Sequence, residues 1–273
     1  MRVDTIINGD NVEVLRTFPD DCIDLTVTSP PYDNLRTYKG FTWDFENLAK
    51  ELFRVTKQGG VVVWVVGDAT IKGSETGTSF KQALYFKEIG FRLHDTMIYE
   101  KSSCVYPEVN RYYPIFEYMF IISKGKPNTA SLIKDRANIY SGDKIARKTG
   151  NKKYNGDRVP NSAYKKDINR RINDYGIRYN IWRYSAGGGH VTTDKIAHSH
   201  PAIFPEKLAH DHIISWSNEN DIVLDPFCGS GTTCKMAKKL NRRYIGIEIA
   251  KEYCEIAEQR VNNLTTNLFK PAI

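Results

Sequence analysis

The chain has 273 residues, 41% of them hydrophobic and 26% charged, with a formal net charge of +7. That is enough apolar material for one sizeable domain, which excludes wholesale disorder, and no run approaches the roughly 20 apolar residues needed to span a bilayer. The charge is uneven: Lys124 to Arg183 holds sixteen Lys/Arg against five Asp, a surplus of eleven, so the rest of the chain is about four charges negative. Five scattered cysteines (Cys22, Cys104, Cys228, Cys234 and Cys254) with no C-x-x-C pair argue against a disulfide framework or a zinc knot and for a reducing compartment. The opening MRVDTIINGD has no secretion pattern, so export is not expected.

In chain order, Val3 to Ile7 reads as a short strand ending in Asn-Gly-Asp, and Ile23 to Thr28 as a second strand running into Ser-Pro-Pro-Tyr. Phe45, Leu48, Ala49, Leu52 and Phe53 keep helical spacing, and Gly59-Gly60 is read as the stop of that helix. Val61 to Val66 is a β-branched and aromatic run suited to a strand buried on both faces. A polar loop over 68–79 precedes a helix over Phe80 to Ile89 and two strands, Phe91 to Tyr99 and Ile115 to Ile122. From about Lys124 to Arg183 no helix or strand period is sustained. After Gly187-Gly188-Gly189, a helix opens near Pro205, followed by a strand over Asp221 to Asp225, a helix over Thr232 to Leu240, a strand over Arg243 to Ile249 and a helix over Lys251 to Val261. Alternating strands and helices imply an α/β fold with a mainly parallel sheet covered on both faces.

Two turns carry chemistry. In DIVLDPFCGSGTT a buried strand ends at Asp225, and Gly229 and Gly231 open a helix, at the strand end where open α/β sheets bind ligands. The next strand ends at Glu248, 19 residues after Gly229, where an acid can accept from both ribose hydroxyls. A dinucleotide fingerprint would need its third glycine at Cys234, and an acid just before the turn suits the cationic amino acid end of S-adenosylmethionine better than a pyrophosphate. In DLTVTSPPY, Ser29 follows a buried strand and Pro30 and Pro31 stiffen the turn. The Pro30 carbonyl with the Ser29 hydroxyl offers two acceptors, which suits an exocyclic NH₂, and Tyr32 offers a flat face for a base. Transfer from a sulfonium needs alignment and electrostatics and requires neither a metal nor a nucleophilic side chain.

Together the two turns resemble the amino-group DNA methyltransferases of restriction–modification systems, in the permuted order called the beta class: catalytic motif first, target recognition in the middle, cofactor motif last. The resemblance covers nearly the whole length and is weakest over 124–183. It implies a Rossmann-like S-adenosylmethionine-dependent methyltransferase fold, circularly permuted, with a mostly parallel seven-stranded sheet and one antiparallel edge strand, the last two strands before residue 123 supplying the edge hairpin. It implies a catalytic half over 1–123, an irregular target-recognition insertion over 124–190, and a cofactor-binding half over 191–273. Asp10 would take the adenine amino group, and His200, Ala202 and Phe204 in HPAIFPEKL would lie by the methionine part. Asp225, Pro226, Phe227, Gly229, Ser230, Gly231, Thr232 and Thr233 match the cofactor loop, and Glu248 with Ile249 the ribose end. Within this family Ser-Pro-Pro-Tyr goes with cytosine N4, and Asp- or Asn-Pro-Pro-Tyr with adenine N6. Release-factor and some RNA methyltransferases share the Asn-Pro-Pro-Tyr turn, but Ser29 and the permuted order speak against those. A bacterial cytoplasmic, nucleoid-associated enzyme is implied, with room for a restriction endonuclease partner and a homodimer.

A base inside a duplex must be flipped out before it can react, and phosphate contacts must offset that cost. Lys152, Lys153, Arg158, Lys165, Lys166, Arg170, Arg171 and Arg178 are the natural source, with Tyr154, Tyr164, Tyr175 and Tyr179 interleaved to reach bases. His198, His200, His210 and His212 are not read as a metal site, because His210 and His212 cannot share one helix face. Three readings stay open on the residues: a cytosine-N4 DNA methyltransferase, an adenine-N6 enzyme on the same scaffold, and a nucleotide-dependent oxidoreductase.

Overall fold

The computed structural model describes residues 1–33, 43–102, 110–143, 171–185 and 191–264. The chain forms two compact units, Met1–Ser131 with Asn180–Ile273, and Leu132–Tyr179. In chain order the larger unit contains β1 (Thr5–Asn8), α1 (Asn11–Arg16), β2 (Ile23–Thr28), α2 (Phe45–Val55), β3 (Thr56–Val66), the small hairpin β4 (Thr70–Ile71) and β5 (Ser74–Glu75), α3 (Thr78–Glu88), β6 (Arg92–Lys101) and β7 (Phe116–Ser123). The smaller unit holds the two-residue strands β8 (Arg136–Ala137) and β9 (Tyr175–Gly176). The larger unit resumes with β10 (Ile181–Tyr184), a 3₁₀ turn over Lys195–Ser199, α4 (Glu206–Trp216), β11 (Ile222–Asp225), α5 (Thr232–Lys239), β12 (Arg243–Glu248) and α6 (Lys251–Asn262).

The main sheet has the order β1-β12-β11-β2-β3-β7-β6-β10. Seven strands run the same way, and β7 alone runs antiparallel, between β3 and β6. The mostly parallel α/β sheet is as expected from sequence, but two details of that expectation are corrected. Among the described residues the strands number eight, not seven, and the antiparallel strand lies inside the sheet, not at its edge. The eighth strand is β10, which falls in the stretch read as lacking strand period, and β7 is interior because β6 pairs along its far side. The four residues of β10 pair in parallel with Ile98–Lys101, burying Trp182 and Tyr184 and leaving Ile181 and Arg183 outside. Four residues are too few for periodicity to register, and the partner strand lies about eighty residues back in the chain.

Strand β3 is buried on both faces, as its composition predicts. Val62, Trp64 and Val66 join α1, α2 and α3 in one core containing Leu15, Leu48, Leu52 and Phe86. Val61, Val63 and Val65 are equally buried but, by the alternation of a strand, face the other way. The Trp64 indole N–H donates to Gln82 Oε1 at 2.9 Å, so its polar edge is satisfied inside the core. Helices α4, α5 and α6 pack in sequence against one another and against the β1, β2, β11 and β12 strands.

Gly59 and Gly60 do not stop helix α2, which ends at Val55 and runs straight into β3. They lie inside the strand, where the β2–β3 register shifts between Ile23 and Leu25. Gly59 has φ +81°, and a Cβ on Gly60 would come within 3.0 Å of the Asp24 carbonyl oxygen. Glycine here makes a bulge that lets two backbones meet. Helix α1 was also not foreseen. Its six residues depend on Asp10, whose Oδ1 accepts from the Val12 and Glu13 amides at 2.9 and 3.1 Å. Among the described residues no helix is long and apolar enough to cross a membrane.

Candidate active site

Because β1, β12, β11, β2 and β3 are parallel, their carboxyl ends gather at one edge. The Ser-Pro-Pro-Tyr turn leaves β2 there, the Gly-rich turn leaves β11, and Glu248 ends β12. The two turns are joined directly, since Thr28 Oγ donates to Asp225 Oδ1 at 2.7 Å across 197 residues of sequence. Thr233 Oγ donates to the Val27 carbonyl at 3.1 Å, and Asn11 Nδ2 to the Pro226 carbonyl at 3.2 Å.

Asp225 is buried and accepts a second bond from the Phe227 amide at 3.1 Å. Burial pushes its carboxyl up to about 6, against the smaller opposing pull of its hydrogen bonds. Glu248 accepts from the Gly229 amide at 2.8 Å through one oxygen and from the Ala250 amide at 2.9 Å through the other, and burial raises its pKa as well. A carboxylate has about four acceptor positions, so both oxygens keep capacity for hydroxyl donors. Among the described residues neither acid has an ion-pair partner. Two desolvated carboxylates at one strand edge, without a cation of the protein's own, suit a cationic ligand.

Gly229 and Gly231 have φ +50° and +80°, in the left-handed region that a side chain disfavours. His200 lies over the first of them, since a Cβ on Gly229 would be 3.0 Å from its Nε2. The His200 ring also meets the Tyr253 ring edge-on at 4.4 Å, and its Nδ1 is 2.6 Å from the Ala202 carbonyl oxygen. Ala202 and Phe204 are half-buried next to it, Pro226, Ser230, Thr232 and Thr233 are buried, and Ile249 is exposed. Asp10 is exposed, and one of its oxygens is occupied in capping α1. Phe227 packs against Trp43, with ring centroids 5.0 Å apart.

Below the Gly-rich turn lies an ionic cluster that sequence reading missed. The fully buried Arg260 of α6 pairs with Asp194 at 3.0 Å and Glu206 at 2.9 Å. It also donates to the Ser230 carbonyl at 2.6 Å and to Thr232 Oγ at 3.1 Å. Lys235 joins the same two acids at 2.7 Å each. The cluster ties the loop to the segment preceding α4. Its only sequence trace is one arginine on the apolar side of α6.

At the other turn, Ser29 Oγ lies 2.8 Å from the Tyr32 hydroxyl, which also reaches Glu117 Oε2 at 3.0 Å and the Val65 carbonyl at 3.3 Å. Pro30 is buried, and Pro31 and Tyr32 are half-buried. Thr28 and Glu117 were not singled out from sequence. A lone acid in the apolar run FEYMFII was the available signal for Glu117.

Of the basic residues read as DNA contacts, Lys152, Lys153, Arg158, Lys165, Lys166 and Arg170 lie outside the described residues, as do Tyr154 and Tyr164. Arg171 is exposed and donates to the Gly142 carbonyl at 2.6 Å. Arg178 is engaged by Asp135 through both carboxylate oxygens. Tyr175 and Tyr179 are 56% and 68% exposed, and the Arg136 guanidinium sits 4.8 Å above the Tyr179 ring. Among the described residues no group of His, Cys, Asp and Glu could hold a metal. Described cysteines are free, with Cys228 and Cys234 sulfurs 3.8 Å apart.

The fold and this strand-end site define an S-adenosylmethionine-dependent methyltransferase. The DNA methylase family of N6/N4 amino-methyltransferases matches residues 23–259, and the chain belongs to that family. It is 62% identical over 244 residues to the orphan methyltransferase M.BamHII of Bacillus amyloliquefaciens, covering 89% of this chain and 90% of that one. It is 30% identical to the type II methyltransferase M.BglII of Bacillus subtilis, over 93% of this chain and 68% of the relative. The PvuII DNA methyltransferase, described as cytosine-N4-specific, superposes with a TM-score of 0.65 at 21% identity, covering 97% of this chain and 87% of the other. A DNA modification methylase of Thermus thermophilus, in complex with S-adenosyl-L-methionine, superposes with a TM-score of 0.61 at 24% identity, covering 94% and 92%.

Proposed function

We propose that the protein methylates the N4 amino group of cytosine in double-stranded DNA, on a base flipped out of the helix. The bond between Thr28 and Asp225 carries the proposal, because it ties the residue before Ser29 to the end of β11, from which the Gly-rich turn leaves. S-adenosylmethionine, when bound, supplies the methyl group from its sulfonium. Glu248 would hold the ribose and Asp10 the adenine amino group. Asp225 offsets the positive charge of the amino acid end, with His200, Ala202 and Phe204 alongside and residues 226–233 as the floor. Ile249, exposed at the end of β12, lies by the ribose end.

Ser29 Oγ and the Pro30 carbonyl accept the two hydrogens of the exocyclic amine, which turns its lone pair towards the donor. Tyr32 stacks on the base. Little else is needed from the protein, since alignment and a dry, negative surrounding stabilise the charge that develops on nitrogen. Ser29 at the head of the turn, where Asp or Asn would favour adenine N6, supports cytosine as the target. The stretch 124–190 is assigned to target recognition and the flanking halves, 1–123 and 191–273, to catalysis and cofactor binding. Within the middle stretch, Lys152, Lys153, Arg158, Lys165, Lys166, Arg170 and Arg171 supply phosphate contacts. Arg178, already held by Asp135, is the weakest member of that set. Type II relatives support a place in restriction–modification, whereas the 62%-identical relative is named an orphan, which favours a methyltransferase working without its own endonuclease.

The test is product identity. Unmodified DNA of many sequence contexts is incubated with the protein and S-adenosylmethionine, digested to nucleosides and measured by mass spectrometry. N4-methylcytosine is the expected product. N6-methyladenine would retain the family and cofactor and refute the reading of Ser29. The absence of both products would refute DNA as the substrate of the isolated chain.

A further inference from the structure

Ser29, Tyr32, Glu117 and Lys101 form a chain of hydrogen bonds leading away from the reacting position. Glu117 stands near the start of β7, whose register with β3 puts it beside Gly67, just past the end of that strand. Tyr32 packs over the same glycine: a Cβ placed there would touch the Tyr32 ring at 3.6 Å and Glu117 Cγ at 3.7 Å. On the far side, Lys101 of β6 holds the other Glu117 oxygen at 3.2 Å, which leaves Oε2 turned to Tyr32. Lys101 and Glu117 retain 26% and 19% of their side-chain exposure, so the pair is half-enclosed.

The direction of the bonds follows from donor counting. Tyr32 has a single hydroxyl hydrogen, and two of its neighbours, Glu117 Oε2 and the Val65 carbonyl, can only accept. The carboxylate is the nearer and the charged one, so it takes the hydrogen. Tyr32 Oη is then an acceptor towards Ser29, and the Ser29 hydrogen points at Tyr32 across 2.8 Å. With its hydrogen committed there, Ser29 Oγ presents only lone pairs to an incoming amine. Were the order reversed, Ser29 would aim its own hydrogen into the space the amine's hydrogens must fill.

We propose that Glu117, oriented by Lys101, is a positioning residue that sets this direction and so makes Ser29 a hydrogen-bond acceptor for the target amino group. The proposal rests on the reading of Ser29 given above. It adds a negative charge three hydrogen bonds from the nitrogen on which positive charge develops, and it gives the Tyr32 hydroxyl a task separate from the stacking surface of its ring.

Glu117→Gln separates these ideas. Facing Lys101, the amide turns its oxygen to the ammonium and its NH₂ to Tyr32, so it donates where the carboxylate accepted. The Tyr32 hydrogen then loses its charged acceptor and turns to Ser29 or to the Val65 carbonyl, with almost no change in shape. Single-turnover methylation of unmodified DNA, calorimetric affinity for S-adenosylmethionine, DNA affinity and thermal midpoint are measured for E117Q, Y32F, E117Q/Y32F and S29A. The expected result is a fall of tenfold or more in the methylation rate of E117Q, with both affinities within twofold. In the Y32F background, where the stacking ring remains and the relay is gone, E117Q should change the rate by less than threefold. Should E117Q not fold, Lys101→Met reads the same chain: a rate loss that vanishes in the Y32F background supports the proposal, and one that persists overturns it. Undiminished turnover in E117Q while S29A is inactive overturns the role of Glu117 and leaves Ser29 in place. Equal losses for E117Q with and without the Tyr32 hydroxyl overturn it too. Full turnover in S29A removes the reading of Ser29 itself.

Discussion

Arg260→Met is the perturbation that most directly tests how the Gly-rich turn, the proposed cofactor loop, is held. Methionine keeps roughly the apolar stem of the side chain and deletes a guanidinium that is fully buried. Six acceptors lose a donor at once: Asp194, Glu206, the Ser230 carbonyl, Ser230 Oγ, Thr232 Oγ and Thr192 Oγ. Two acids then share one cation, Lys235, and the site becomes one charge negative. Removing one partner of a buried ion pair costs ~3–5 kcal/mol. Asp194 and Glu206 keep 28% and 19% of their side-chain exposure, so water relieves part of the stranded charge and the lower figure, about 3 kcal/mol, applies. At ~2–4 °C per kcal/mol for a domain of this size, the thermal midpoint should fall by about 6–12 °C.

The loss depends on pH. The pairings with Lys235 and Arg260 outweigh burial and hold the Asp194 carboxyl below its usual range, so its stabilisation exists above the ordinary carboxylate pKa and is lost as pH falls. The gap between wild type and R260M should therefore be widest at neutral pH and close below about pH 4. Adding Asp194→Asn should recover part of the loss at pH 7. Differential scanning calorimetry across pH, with titration of S-adenosylmethionine at 20 °C, gives both readouts, and a tenfold or larger drop in cofactor affinity is expected. A midpoint shift under 2 °C, or unchanged cofactor affinity, would refute the view that this cluster braces the loop.

Three other outcomes are expected. Asp225 has a folded pKa raised to about 6, so the ligand-free protein gains stability at low pH and loses it as pH rises through 6. Asp225→Asn should stabilise the ligand-free protein at pH 8 by up to ~3 kcal/mol, yet weaken S-adenosylmethionine binding, and wild-type affinity should rise between pH 5 and 7; thermal melts and calorimetry over that range decide it. Gly231→Ala adds a Cβ 2.7 Å from the Ala257 Cβ at φ +80°, and should cost ~2–4 kcal/mol in chemical denaturation along with most of the cofactor affinity. Charge reversal at Arg170 and Arg171 should lower DNA affinity and flatten its dependence on salt by about one unit of slope for each phosphate that is no longer neutralised. An unchanged slope would take those residues off the DNA.

The parallel strands and their flanking helices were legible because their signals are local. Val61–Val66 can only be a doubly covered strand, and a strand ending in acid, glycine and helix fixes where a ligand meets the sheet. The edges of elements were less legible. Gly59-Gly60 looks like a helix stop because a glycine pair has the same appearance whether it ends a helix or lets β2 and β3 backbones approach, and only the Asp24 carbonyl across the gap distinguishes the two. Strand β10 is invisible for a related reason: Ile181–Tyr184 becomes a strand only when β6 offers it an unpaired edge.

The same division runs through the site. By itself the sequence determined the family resemblance, the Gly-rich turn, the Ser-Pro-Pro-Tyr turn and the order in which they occur, since each is a short run whose residue types serve one local geometry. Tertiary structure alone decided that Thr28 bonds Asp225, that Arg260 rather than any loop residue braces Ser230 and Thr232, and that Glu117 reaches the Tyr32 hydroxyl. Those partners are 197, 30 and 85 residues apart. Hydrogen bonds act over about 3 Å, and no spacing rule along the chain encodes which distant strand ends the sheet will bring that close.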